Sequence, residues 1–406
     1  MKRLFSYLCF LLVITSCQTA EVTEVITNHG LSDQRLSRYE DFINDEIEQK
    51  HIAGAVSLIF RNDQIAHQKA FGATHLDDDI PMSMDNIFFI QSMTKPIITV
   101  AFMMLYEEGH FLLKDPVSKY LPEFNNLEVI VDPETGIEGK REPLNKPITI
   151  AHLLSHTAGF SHGLGRTKID QEYWQAMYME EHVTVQDRMN RMLELPLYGQ
   201  PGEQWYYSAS PDVLSVLIEH FSGVSTEEFL QKRIFDPLGM DDTGYNLPEE
   251  KHNRVVTLHT VDSIGNLIIS ERQPPMSGNT IFSGVNGLWS TASDYLIFSR
   301  MMLNQGTLNG KQYLSRKTVE LMTQNHVGDL MGNGSGFGLG YGVTTNVADT
   351  KSLGSIGTFY WSGAFCTYFV IDPKEELIAI LMTQLWPYSG YYGDKMRQLV
   401  YQTIED

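Results

Sequence analysis

An apolar stretch at residues 87–90 that runs into Ile97-Ile98-Thr99-Val100-Ala101-Phe102-Met103-Met104-Leu105 sets the strongest constraint on how this chain can fold. The second run is apolar nearly all round, which predicts a helix with no solvent face, buried in a large core. It is too short for a membrane span, which takes about 20 apolar residues. Pro96 fits the first turn of such a helix, where its missing N–H costs nothing. At 406 residues and 42% hydrophobic, the chain can build the core this helix needs, and no repeat or low-complexity block divides it.

The junction between strand and helix reads Ser92-Met93-Thr94-Lys95. It sets a hydroxyl and an amine one helical turn apart on one face. A serine hydroxyl is a weak nucleophile until a neighbour takes its proton, and a lysine held in a dry pocket can lose its charge and serve as that base. The helix N-terminus adds positive potential that favours a developing oxyanion. An isolated Ser-x-x-Lys is more often a helix cap with a snorkelling lysine. Partners elsewhere in the chain carry the functional reading. Pro201-Gly202-Glu203-Gln204-Trp205-Tyr206-Tyr207-Ser208-Ala209 is a turn followed by an aromatic run that offers a tyrosine for proton transfer. Trp361-Ser362-Gly363-Ala364 reads as the opening of a strand at residues 365–371, with small residues able to lend a backbone N–H to an oxyanion hole.

With these three motifs in order, the chain resembles the serine β-lactamase and penicillin-binding-protein superfamily, in its class C-like branch with the family VIII carboxylesterases. The likeness also runs through Phe88-Phe89-Ile90-Gln91, Asp115-Pro116-Val117-Ser118-Lys119-Tyr120-Leu121-Pro122, residues 148–159 and residues 287–295. It implies Ser92 as nucleophile, Lys95 as its base and Tyr207 as proton relay to the leaving group. Backbone N–H groups of Ser92 and Ala364, with Gly363 beside them, would form the oxyanion hole. The fold it implies is α/β (α+β): an antiparallel β-sheet flanked by N- and C-terminal helices, packed on a mostly helical subdomain, with the active site in the crevice. By that resemblance the α/β part covers about 35–95 and 335–406 and the helical part about 96–334.

Two departures from the family pattern bear on substrate. The second motif is Tyr-x-Asn in the family, and here Ala209 stands where the amide would be. The third motif of β-lactamases begins with lysine, and here the position is Trp361, as is common in the esterase branch. Without the lysine a favourable pairing to a substrate carboxylate is missing. A neutral ester of a small or apolar acyl group is therefore better matched than a carboxylate-bearing amide. A β-lactamase, a D-alanyl-D-alanine carboxypeptidase, a penicillin receptor without turnover and a transacylase are the alternatives. Phe160, Trp205, Tyr206, Tyr360 and Trp361 are candidates to line an apolar acyl pocket.

Other motifs carry less. Gly159-Phe160-Ser161-His162-Gly163 matches the Gly-x-Ser-x-Gly elbow of α/β-hydrolases, but residues 150–156 before it read as a helix after a Thr149 cap, where the elbow needs a strand. His152 and His156 stand at zinc-ligand spacing without the intervening glutamate, and the thirteen histidines read as surface and loop groups. Residues 332–340 are glycine-rich but lack the strand and helix of a dinucleotide site, and read as a loop entering a strand. Residues 306–311 read as a turn. No metal and no cofactor is expected. The formal charge of −20 with no basic patch argues against nucleic acid as a partner.

Met1-Lys2-Arg3 followed by apolar residues 4–14 reads as a signal peptide (residues 1–16). It ends in Ile14-Thr15-Ser16-Cys17, which resembles a bacterial lipobox, so lipidation of Cys17, a tether over 17–34 and a place on the bacterial cell envelope are expected. That leaves Cys366 as the one thiol of the mature chain and excludes an internal disulfide. Residues 54–60 and 64–71 read as one hairpin, 365–371 and 377–383 as another, and residues 393–404 as a terminal helix.

Overall fold

The computed structural model describes residues 29–77 and 80–405; the signal segment and Cys17 lie outside the described residues. Helix α1 (Asp33–Glu48) starts inside the expected tether, and Leu31 before it forms a bridge to Ile404. The first hairpin is β1 (Gly54–Arg61) and β2 (Gln64–Gly72). Its two-residue loop, Asn62-Asp63, has both residues at positive φ, the geometry whose twist matches paired strands.

Helix α2 (Thr94–Glu107) is buried continuously from Thr94 to Leu105, as its apolar run requires. It is entered through a 3-10 turn, Gln91–Met93. The strand expected at residues 87–90 shrinks to Phe88–Phe89, paired with Trp289–Ser290. Helix α3 (Ser210–Ser222) carries Pro211 in its first turn and packs across α2, while α4 (Ala292–Leu303) lies against the sheet. The remaining strands follow as β3 (Ser335–Phe337), β4 (Gly342–Thr344), β5 (Phe359–Gly363), β6 (Thr367–Asp372) and β7 (Leu377–Met382), and α5 (Gly390–Tyr401) closes the chain.

These strands form one antiparallel sheet of order β3-β4-β5-β6-β7-β1-β2. The central strands β1, β6 and β7 are buried at every position because both faces are covered. Val56, Leu58, Phe60, Ile378, Ile380 and Met382 face the large core shared with α2, α3 and α4. The alternate residues Ala55, Ile59, Ala379 and Leu381 face a second core under α1 and α5. Double-sided burial explains why these strands read as continuous apolar runs instead of the alternation of a half-exposed antiparallel sheet.

Three expectations are corrected in detail. Trp361, Ser362 and Gly363 end β5, a strand of its own, and a turn at residues 364–366 separates it from β6. Cys366 sits in that turn with φ of 60°, buried, as a free thiol. The short helix expected at residues 150–156 ends earlier, at Leu154, and is capped by Thr149 and His152 in a reciprocal pair. Among the described residues, no helix is long and apolar enough to cross a membrane.

Candidate active site

The 3-10 turn that feeds α2 delivers Ser92 at the mouth of the helix. Gln91 just before it is held at φ of 49°, a region that a side chain enters at a cost of about 1–3 kcal/mol and that clusters at functional sites. Ser92 is half-buried, whereas Lys95 is 1% exposed. Lys95 Nζ lies 2.9 Å from Ser92 Oγ and 2.9 Å from the carbonyl oxygen of Val285. On its other side it sits 4.6 Å from the centre of the Tyr207 ring. Tyr207 comes from the segment leading into α3, and its hydroxyl contacts both Ser92 and Trp361, whose indole N–H donates to it at 3.3 Å.

The end of β5 completes the arrangement. Gly363 has no room for a side chain: a Cβ there would lie 2.3 Å from the carbonyl oxygen of Ile90 and 2.3 Å from Thr367 Oγ1. The bare backbone at Gly363 and Ala364 therefore comes up against the turn carrying Ser92, the juxtaposition an oxyanion hole requires. Ala209 is fully buried and precedes the first turn of α3, its N–H donated to the Ser161 carbonyl.

Burial shifts both Lys95 and Tyr207 toward their neutral forms. It holds the Lys95 amine well below the usual lysine range, helped by the charge of Arg188 and opposed by that of Asp212. Burial likewise pushes the Tyr207 phenol up, against the hydrogen bonds from Ser92 and Trp361. A neutral amine beside a neutral phenol is the pairing in which lysine takes a proton and tyrosine can give one.

Sequence reasoning missed the aromatic nest around Tyr207. His162 stacks on it at 4.8 Å and 16°, and His156 lies 5.0 Å away. Both imidazoles are buried, not surface groups, and burial keeps them well below the ordinary histidine range. His156 Nδ1 accepts the Ser208 N–H at 3.2 Å, and His162 is bonded to the Tyr178 hydroxyl at 2.8 Å. His152 serves its helix cap instead, so the two histidines at zinc-ligand spacing have separate duties. His156 and His162 lie in a stretch buried throughout, residues 155–163, whose polar residues sequence alone does not tell from a surface loop.

Of the five aromatics expected in the pocket, Trp205 and Trp361 belong to the nest, joined by Phe337. Phe160 is fully buried in the core against Phe124. Tyr206 turns away to stack on Tyr198 and donates to Asp170 at 2.9 Å. Tyr360 points to the opposite face of β5 from Trp361, under the Arg397 guanidinium. The period of two along a strand makes neighbours such as Tyr360 and Trp361 exclusive choices.

Ser161 is accounted for structurally. It is fully buried, donates to Asp170 at 2.6 Å and accepts the Gly163 N–H at 2.9 Å. Its hydroxyl staples a loop, and a loop, not a strand, precedes it.

A doubly covered antiparallel sheet with a buried helix that presents serine and lysine to a tyrosine defines a serine hydrolase of the penicillin-recognising fold. The chain belongs to the beta-lactamase family, whose family model matches residues 39–401. Protein Rv1367c of Mycobacterium tuberculosis is 31% identical over 350 residues, covering 83% of this chain and 86% of that one. Esterase EstB of Burkholderia gladioli is 24% identical over 383 residues, 88% and 92% of the two chains. Among solved structures, EstCE1, described as a hydrolase with promiscuous acyltransferase activity, aligns with a TM-score of 0.78 at 25% identity over 91% of this chain and 99% of that one.

Proposed function

We propose that this protein is a carboxylesterase that cleaves uncharged esters of small or apolar acyl groups through an acyl-enzyme on Ser92. The observation that carries the reading is the fully buried Lys95 amine 2.9 Å from the Ser92 hydroxyl in an aromatic-walled site, where burial pushes the amine toward its neutral form. Lys95 takes the hydroxyl proton as Ser92 Oγ adds to the ester carbonyl, and the oxyanion is met by the N–H groups of Ser92 and Ala364. Collapse of the intermediate breaks the bond to the leaving alkoxide, which takes a proton from the Tyr207 hydroxyl. Tyr207 is then reprotonated by the Lys95 ammonium. Water attacks the acyl group by the reverse route and frees the acid.

Ester preference is supported by Trp361, which brings an indole N–H already donated to Tyr207 where a β-lactamase would bring a charge for the substrate carboxylate. EstB and EstCE1 carry names of the same chemistry. The sequence supports placement on the bacterial cell envelope through a lipidated Cys17, which incorporation of labelled palmitate into the wild-type chain and its loss in Cys17→Ala would check.

The test compares wild type, Ser92→Ala and Ser161→Ala on a short-chain p-nitrophenyl ester and on a penicillin. Ester turnover lost only in Ser92→Ala, with the penicillin left intact, is the expected result. Fast penicillin hydrolysis would overturn the substrate argument, and activity surviving in Ser92→Ala would overturn the mechanism. Adding a primary alcohol to the ester reaction and measuring transester against acid gives the partition between acceptors.

A further inference from the structure

Lys95 Nζ has a second fixed partner, the Val285 carbonyl, and that carbonyl is held by a buried ion pair no motif announces. Arg188, on the helix Val185–Leu193, meets Asp212 in the first turn of α3 through Nε at 2.8 Å and Nη2 at 2.7 Å, with side chains 6% and 1% exposed. Asp212 Oδ1 accepts the Ser283 hydroxyl at 2.6 Å and the Val285 N–H at 3.3 Å. Ser283 Oγ in turn accepts the N–H groups of Val285 at 3.0 Å and Asn286 at 3.3 Å, and contacts Arg188 as well. Gly284 between them lies so close to α3 that a Cβ would stand 1.9 Å from the Pro211 carbonyl oxygen. The segment is thus clamped to the start of α3, the same helix whose approach carries Tyr207.

A pair this deeply buried is a poor source of stability, because desolvation cancels most of its attraction. Its geometry serves another end. The Val285 oxygen can only accept, so one N–H of Lys95 must point at it, which fixes the direction of the amine and keeps Nζ within hydrogen-bond reach of the Ser92 hydroxyl. We propose that Asp212, clamped by Arg188 and acting through Ser283, is a positioning residue that sets the Val285 carbonyl and so aims Lys95 at Ser92. The inference rests on the acyl-enzyme reading of Ser92.

The charged and titratable groups facing Lys95 are Asp212, Arg188, His156, His162 and Tyr207. Three substitutions separate aim from charge. Ser283→Ala keeps both charges and removes the hydroxyl tie, leaving only the long 3.3 Å bond from the Val285 N–H to Asp212. A misplacement of an ångström in a reacting pair costs about a hundredfold, so kcat should fall roughly tenfold to a hundredfold at unchanged KM, with the acid limb of kcat/KM where wild type has it. Asp212→Asn also removes the anion that favours charged Lys95, so kcat should fall and the acid limb should move down by about one pH unit. Arg188→Met leaves Asp212 unopposed and should move the limb up. A purely structural role would lower the melting temperature of all three without opposed limb shifts.

The measurement is ester hydrolysis by the full chain across pH, with circular dichroism to confirm folding. Wild-type kcat and an unmoved limb in both Ser283→Ala and Asp212→Asn would overturn the inference, and those two decide it even where Arg188→Met does not fold. Ser92→Ala run alongside keeps the two ideas apart: activity in Ser92→Ala defeats the underlying reading, whereas an inactive Ser92→Ala with unaffected Ser283→Ala and Asp212→Asn defeats only this one.

Discussion

Lys95 answers two opposed demands. To act as the proposed base it must be neutral, and burial pushes it that way, but the same burial makes the folded state bind a proton less readily than the unfolded chain, where the amine has its ordinary value of about 10.4. The sign follows from linkage: below the folded pKa the whole penalty is present, and it shrinks as pH rises from there to the unfolded value. Lys95→Met, of similar volume and no charge, is therefore expected to raise stability at pH 7, with an advantage over wild type that declines toward pH 10. The same variant should lose about 10²–10⁴ in kcat for want of a base. Denaturant midpoints at the two pH values and ester turnover check both halves; a Lys95→Met chain less stable than wild type at pH 7 would refute the burial argument. The pair itself was legible, since Ser92 and Lys95 share one helical turn. The Val285 carbonyl was not, because a backbone acceptor has no letter of its own. Arg188 and Asp212 were hidden differently, each looking like an ordinary polar position of an amphipathic or capped helix.

Elements meet at Ser92 through backbone more than through side chains. The hairpins and the buried helix α2 could be placed from apolar runs and turn residues, but the boundary between β5 and β6 could not. Residues 359–372 hold no Pro, Asn or Asp between the two strands, and the left-handed Cys366 gives no composition cue to a turn. That turn is what brings Gly363 against the Ile90 carbonyl. Gly363→Ala must push β5 and the serine turn apart, because the nearest atom to its Cβ is backbone and cannot rotate away. Overpacking of this kind costs about 1–3 kcal/mol, and the shift it forces on the oxyanion donors should lower kcat by about a hundredfold. Thermal melts and single-turnover acylation would show it. Acylation at the wild-type rate would mean that the end of β5 does not set the oxyanion site.

Across the whole molecule, the sheet has a reactive end and an anchoring end. Gly363 pairs with Thr367 beside Ser92, while β6 runs away from that end to Asp372, about 17 Å along the strand at 3.4 Å per residue. There Asp372, fully buried, accepts the Thr358 hydroxyl at 2.9 Å, the Tyr401 hydroxyl at 2.8 Å and the Lys374 N–H at 3.0 Å. It thereby joins the turn after β6, the approach to β5 and the last turn of α5, the helix that covers the second core. The family resemblance implied that terminal helices would cover the sheet, but not how they are locked, because Asp372-Pro373 reads as any surface turn. Asp372→Ala strands the Tyr401 hydroxyl and the N–H groups of Lys374 and Glu375, while the Thr358 hydroxyl keeps the Ser355 carbonyl, at about 1–3 kcal/mol for each group left unsatisfied. The expected outcome is a loss of several kcal/mol in unfolding free energy, about 3 or more if the groups cannot reach water, with kcat/KM per folded molecule unchanged. Urea unfolding and titration of active sites with a fluorophosphonate separate the two quantities. A fall in kcat/KM for molecules that still titrate would show that the anchoring end is coupled to the serine, and the division of labour along the sheet would have to be abandoned.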